Sequence, residues 1–127
     1  MKKKKKKIAL IEDDANIREM YKMKLEMDGY NVVCADDGKK ALEVIKKENP
    51  SLVLLDILLP EKDGFDVLGE IKNSQDDSVK SIPVIILSNL SNNEDILEAK
   101  KLGAIDYLVK AKVTPNEVAD KVGSFVK

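Results

Sequence analysis

The 127-residue chain is long enough for one domain with a single core, and its 43% hydrophobic and 35% charged residues are those of an ordinary globular protein. Lys and Arg total 22 against 23 Asp and Glu, but six of the cations are Lys2 to Lys7; without them the balance is 16 against 23, so the body is acidic and poorly suited to nucleic acid. The absence of histidine excludes His-based triads and His-containing metal sites, a single cysteine excludes an intrachain disulfide, and no apolar run is long enough to span a membrane.

Residues 1–7 read as a basic lead, a frayed solubilising end rather than a signal peptide, ahead of one domain within 1–127. Ile8 to Ile11 is an apolar run that empties into Glu12-Asp13-Asp14. Asp14 can cap a helix whose apolar residues Ile17, Met20, Tyr21 and Leu25 recur at helical spacing until Gly29. A second strand, Val32 to Ala35, includes Cys34, read as a buried inert thiol suited to a reducing cytoplasm. Asp36-Asp37-Gly38 leads into a helix with Ala41, Leu42 and Ile45 on one face and Asn49-Pro50 as its stop.

Leu52 to Leu55 follows, four apolar residues that deliver Asp56 at the tip of a strand buried on both faces. Pro60 stops it, and Asp63-Gly64 turns the chain into a third helix bearing Phe65, Val67, Leu68 and Ile71. Asn73 to Ser81 reads as a loop. Ile82 to Leu87 is the fourth strand and ends at Ser88-Asn89, with Ser91 and Glu94 as a capping box for a fourth helix carrying Ile96, Ala99 and Leu102. Ile105 to Val109 is the fifth strand and ends in Lys110. Thr114, Pro115 and Glu117 open a fifth helix with Val118, Val122 and Phe125 inward.

Unbroken apolar strands alternating with helices require a parallel sheet covered on both faces. The expected fold is therefore α/β: a doubly wound, five-stranded parallel sheet of flavodoxin-like order 2-1-3-4-5. All strand ends in such a sheet point one way, so Glu12, Asp13, Asp56, Ser88 and Lys110 meet in one crevice. Three carboxylates so close repel one another unless cations compensate. Lys110 supplies one charge, and a hard divalent ion such as Mg²⁺ or Mn²⁺, bound through oxygen, supplies the rest. An anionic group held by such an ion, the ammonium and the hydroxyl is the arrangement that phosphoryl transfer needs.

These residues resemble the receiver domain of two-component response regulators over essentially the whole chain. The match lies in Glu12-Asp13, in Leu55-Asp56-Ile57 with Pro60 and Asp63-Gly64, in Ser88, and in Gly103 to Lys110. The resemblance implies that Asp56 accepts a phosphoryl group from a sensor histidine kinase or a histidine phosphotransfer protein. It also implies that Asp13, Asp56 and the Leu58 carbonyl ligate Mg²⁺ while Glu12 holds a metal-bound water. Lys110 would pair with the phosphoryl oxygens, Ser88 would hydrogen-bond them, and Tyr107 would change rotamer as the Ser88 loop closes. The expected output is a switched partner surface on the fourth helix, fifth strand and fifth helix, which can also dimerise, with no direct nucleic-acid or membrane binding.

Two positions depart from the family pattern. Ala111 stands where the family has a cis proline, so a trans Lys110–Ala111 bond is expected. Asn89 stands where a small residue is usual, narrowing access to Asp56 or adding a polar contact. Leu58 and Leu90 lie beside the path of an attacking water and cannot orient one, so slow loss of the phosphoryl group is expected, with Asn89 as the competing polar group.

Other classes fit less well. A phosphatase with an aspartyl nucleophile wants a second acid two residues on, where Leu58 stands. A flavin or nucleotide domain wants a phosphate-cradling loop where Glu12-Asp13-Asp14 would repel the ligand. A pseudo-receiver that only binds partners has no need of the full reactive set.

Overall fold

The structure, a computed structural model, describes residues 5–126. Lys2 to Lys4 of the basic lead lie outside that range. Five strands form one parallel sheet in the order β2-β1-β3-β4-β5, the order expected from the sequence. They are β1 (Lys7–Ile11), β2 (Asn31–Ala35), β3 (Leu52–Leu55), β4 (Val84–Ser88) and β5 (Asp106–Val109). Lys7, counted above with the basic lead, opens β1, and its ammonium lies 2.9 Å from Glu48.

Alternate residues of each strand serve two cores, one on each sheet face. In β1, Ala9 and Ile11 face one core while Ile8 and Leu10 face the other. The first core is roofed by α2 (Gly38–Glu48), α3 (Gly64–Lys72) and α5 (Asn93–Lys101), and the second by α1 (Ala15–Met27) and α6 (Pro115–Phe125). Leu52 to Leu55 is fully buried throughout, as a strand covered on both faces must be. Each such side chain contributes roughly 1.5–3 kcal/mol of transfer free energy as an upper estimate.

Five local expectations change. The stretch 73–81 contains a one-turn helix, α4 (Asp77–Lys80), because Asp76 caps the Ser78 amide and Val79 is drawn into the core. The α5 cap is Asn92, one residue beyond Ser91, and it accepts from the Asp95 amide at 2.9 Å. Met20 is 44% exposed, since Tyr21 and Leu25 form the inward stripe of α1 and Met20 is turned away from it. Phe125 is also 44% exposed; it ends α6, and Val126 takes the buried place beyond it. Cys34, expected to be buried, is half-buried because β2 is an edge strand, and the partial burial pushes its thiol above the ordinary value.

Candidate functional site

Register assembles the site. Ile11 pairs with Leu55 across β1 and β3, so the residues that follow them, Glu12 and Asp56, leave the sheet side by side. The Asp56 amide donates to the Ile11 carbonyl (3.1 Å), and the Glu12 amide to the Ala35 carbonyl (3.1 Å). Ser88 pairs with Val109, which places Lys110 one step beyond the end of β5. The Lys110 side chain then crosses the end of β4, above the fully buried Ser88, to reach the acids.

Lys110 Nζ lies 2.6 Å from Asp56 Oδ2 and is also paired with Glu12 Oε1. Asp56 Oδ1 accepts from the Ile57 amide at 2.7 Å and from the Leu58 amide at 3.3 Å, so two main-chain donors fix the plane of the carboxylate. Glu12 Oε2 accepts from the Asp14 amide at 3.1 Å. Glu12 and Asp56 are buried, 2% and 4% exposed, whereas Asp13 faces solvent. One rim of the group is thus open to an incoming ligand.

The electrostatics follow from this burial. Desolvation pushes the Glu12 carboxyl above its ordinary value, against the opposing pull of Lys110 and the Asp14 amide. For Lys110, burial alone would depress the ammonium, but hydrogen bonds and charges from Asp56 and Glu12 outweigh it and raise the value. A single ammonium does not balance three carboxylates. Glu12, Asp13 and Asp56 each offer an oxygen, and these atoms lie within 4.8 Å of one another. An all-oxygen, net-anionic donor set of this kind fits a hard divalent ion such as Mg²⁺.

At the other side of the crevice Ser88 Oγ accepts from the Leu90 amide (3.3 Å), and the Tyr107 hydroxyl donates to the Leu90 carbonyl at 2.6 Å. Burial raises the Tyr107 hydroxyl above its ordinary value, and the Asp95 and Asp56 charges add to the effect. Leu58 stands 58% exposed beside Asp56, while Leu90 packs against the core. Asn89 turns its Oδ1 to the Ala111 amide, 2.9 Å away, and every peptide bond among the described residues is trans, Lys110–Ala111 included.

The family model for the response regulator receiver domain matches residues 8–122. The chain belongs to that family. It is a regulatory receiver domain of a two-component system rather than a classical enzyme. A probable transcriptional regulator, ycf27, of Porphyridium aerugineum is 37% identical over 97% of this chain and 49% of its own length, and that of Cyanophora paradoxa shows the same figures. The chain therefore spans about half the length of these curated relatives. Among solved structures, the receiver domain of Francisella response regulator 1452 is 32% identical with a TM-score of 0.85, covering 94% of this chain and 95% of that one. The beryllofluoride-activated receiver domain of Klebsiella pneumoniae RstA is 30% identical with a TM-score of 0.84, covering 95% and 98%.

Glu12, Asp13, Asp56, Ser88 and Lys110 lie at one end of the sheet, whereas Gly103, also part of the receiver pattern, precedes β5 at the other, and sequence reasoning overlooked a residue that shapes the site. Arg18 Nη1 donates to the Glu12 carbonyl at 2.7 Å and to the Asp13 carbonyl at 3.4 Å, clamping the main chain beneath both acids. A signal for it existed: an arginine one turn into a helix that directly follows three consecutive acids.

Proposed function

We propose that this receiver accepts a phosphoryl group on Asp56 from a phosphohistidine of a sensor kinase or phosphotransfer protein. The bond that forms joins an Asp56 carboxylate oxygen to phosphorus; the bond that breaks joins phosphorus to the imidazole nitrogen, which leaves and takes a proton. Glu12, Asp13, Asp56 and the Leu58 carbonyl would hold Mg²⁺ or Mn²⁺, which when bound neutralises charge on the phosphoryl oxygens. The Ile57 and Leu58 amides hold the Asp56 carboxylate in a fixed plane for in-line attack. Lys110, already against Asp56 Oδ2, pairs with the phosphoryl oxygens. Ser88 then moves to donate to the phosphoryl group and releases the Leu90 amide, and Tyr107 follows the loop.

The observation that supports this reading is Asp56 itself, a buried carboxylate in contact with the Lys110 ammonium and two main-chain amides and grouped with two further acids. Acetyl phosphate with Mg²⁺ should add one phosphoryl mass to wild type, none after EDTA, and none to Asp56→Asn. Equal labelling of Asp56→Asn would remove the assignment. Within the described residues no helix is long and apolar enough to cross a membrane, and the acidic body with its half-buried thiol suits a cytoplasmic setting without direct nucleic-acid contact.

A second reading concerns the output. Leu97 (58% exposed) and Ile105 (40% exposed) present apolar surface near α5 and β5, with the Lys121–Asp106 ion pair (3.1 Å) between α6 and β5. This face is proposed to pair with a second copy after phosphorylation. Sedimentation with beryllofluoride should give a dimer where the untreated protein is monomeric; a monomer in both conditions rejects it.

A further inference from the structure

The hydrogen bond between Asn89 and Ala111 joins the loop that carries Ser88 to the turn that carries Lys110, and none of the roles assigned above uses it. Lys110 must cross the end of β4 to reach Glu12 and Asp56, so its ammonium is placed only as well as the main chain beneath it. That main chain is a 3₁₀ turn, Lys110–Lys112, attached to an edge strand and without a side-chain cap from Val109, the residue that precedes it. The first amides of such a turn have no partner inside it. Ala111 finds one in a different loop: its N–H donates to Asn89 Oδ1 at 2.9 Å. The reach is set by register, since Asn89 and Lys110 each follow directly on the paired residues Ser88 and Val109.

Asn89 sits in the middle of the segment expected to move. Its neighbours on either side are tied together, Leu90 N–H to Ser88 Oγ, and the Leu90 carbonyl accepts from the Tyr107 hydroxyl. We propose that Asn89 is a positioning residue for Lys110: its amide oxygen holds the 110–112 turn through the Ala111 N–H and makes the place of the ammonium depend on the place of the Ser88 loop. A side chain without a carbonyl at 89 cannot accept this bond, and a residue without an N–H at 111 cannot donate it. The two positions act as a matched pair, and movement of Ser88 toward Asp56 carries the base of Lys110 with it.

The functional readout rests on the phosphoacceptor reading of Asp56, and a second readout does not. Asn89→Leu removes the acceptor at similar volume, Ala111→Pro removes the donor, and the double variant completes the cycle; thermal melts establish that each is folded. Each single change should slow mass gain from acetyl phosphate with Mg²⁺ by about five-fold, the scale of one lost hydrogen bond, and the double change should slow it no further than either alone. In metal-free protein, Asn89→Leu should shift the NMR signals of the Ala111 amide and the Lys110 ammonium. Multiplying effects in the double variant, no slowing in either single, or unmoved signals in Asn89→Leu would overturn the proposal. If wild type gains no mass, the phosphoacceptor reading fails instead, and the two NMR signals still decide whether Asn89 positions Lys110.

Discussion

The loop after Asp56 and the loop after Ser88 border the same crevice but are held by different chemistry. Residues 57–63 are fixed by main chain: Gly64 N–H donates to the Ile57 carbonyl (2.8 Å), and the Pro60 carbonyl accepts from both Lys62 (2.8 Å) and Gly38 (3.1 Å). The loop includes a tight turn at Glu61, whose φ of 69° is a conformation that costs energy and persists only where the surroundings enforce it. Residues 88–92 are held instead by side chains, the Ser88 and Tyr107 hydroxyls and the Asn89 amide. Main-chain ties leave no alternative partner, whereas hydroxyls and a side-chain amide can exchange partners at small cost. The crevice thus has a fixed wall carrying Asp56 and a movable wall carrying Ser88.

The largest expected effect breaks the fixed wall. A Cβ on Gly64 would lie 2.2 Å from the Asp56 carbonyl and 2.7 Å from Ile57 Cα, both main-chain atoms that cannot turn aside. Gly38 is under the same constraint from the Lys62 carbonyl, at 1.9 Å. Gly64→Ala should therefore lower unfolding free energy by about 3 kcal/mol or more, whereas Asn89→Ala on the movable wall should cost about 1 kcal/mol. Urea melts of the two variants measure the difference; equal losses would show that the two walls are equally rigid.

This contrast also marks what the sequence could reveal. Five apolar runs, four of them leading to Glu12, Asp56, Ser88 and Lys110, were readable because strand identity needs only a local pattern, and a parallel sheet then brings the ends together. The Asp14 cap and the Thr114–Glu117 capping box were readable for the same reason, being contacts within a few residues. The exposure of Met20 and Phe125 was not, because it depends on how far each helix is rotated against its neighbours. Arg18 beneath Glu12, and Asn89 against Ala111, are contacts between elements whose relative placement exists only after folding. Asp77–Lys80 escaped notice because a four-residue helix has too short a period to register.

The next effect tests whether the movable wall also governs water. Leu58 belongs to the fixed loop and Leu90 to the movable one, and neither can orient a water toward a phosphoryl group on Asp56. Asn89, the competing polar group, has its amide oxygen engaged by Ala111. Under saturating Mg²⁺, Leu58→Asn with Leu90→Glu should shorten the phosphoryl lifetime by about two orders of magnitude, some 3 kcal/mol of barrier. Comparing the two single variants shows which wall matters more. If the double variant decays no faster than wild type, water access is controlled elsewhere.

The smallest effect is a control at the opposite end of the sheet. Lys72 ends α3, and its ammonium donates to the Ile82 carbonyl at 2.8 Å and the Lys80 carbonyl at 3.2 Å, with no carboxylate as partner in these bonds. Burial lowers the ammonium from its ordinary 10.5. The folded state therefore gives up this proton at lower pH than the unfolded state does. Between the lowered value and 10.5 the unfolded chain binds more protons, so the Lys72 contribution to stability rises with pH across that window. Lys72→Met keeps the stem and leaves the two carbonyls without their donor, a loss of about 1 kcal/mol near neutral pH. The gap between wild type and Lys72→Met in urea midpoint should widen in favour of wild type as pH rises toward 10.5. A gap that narrows would mean that the carbonyls hold the charged form more strongly than burial opposes it. Label uptake at Asp56 should be unchanged in Lys72→Met, because both walls of the crevice lie at the other ends of the strands; slower uptake would show that lost stability alone disturbs the site, and the losses seen on substituting Gly64 or Asn89 would then have to be corrected for it.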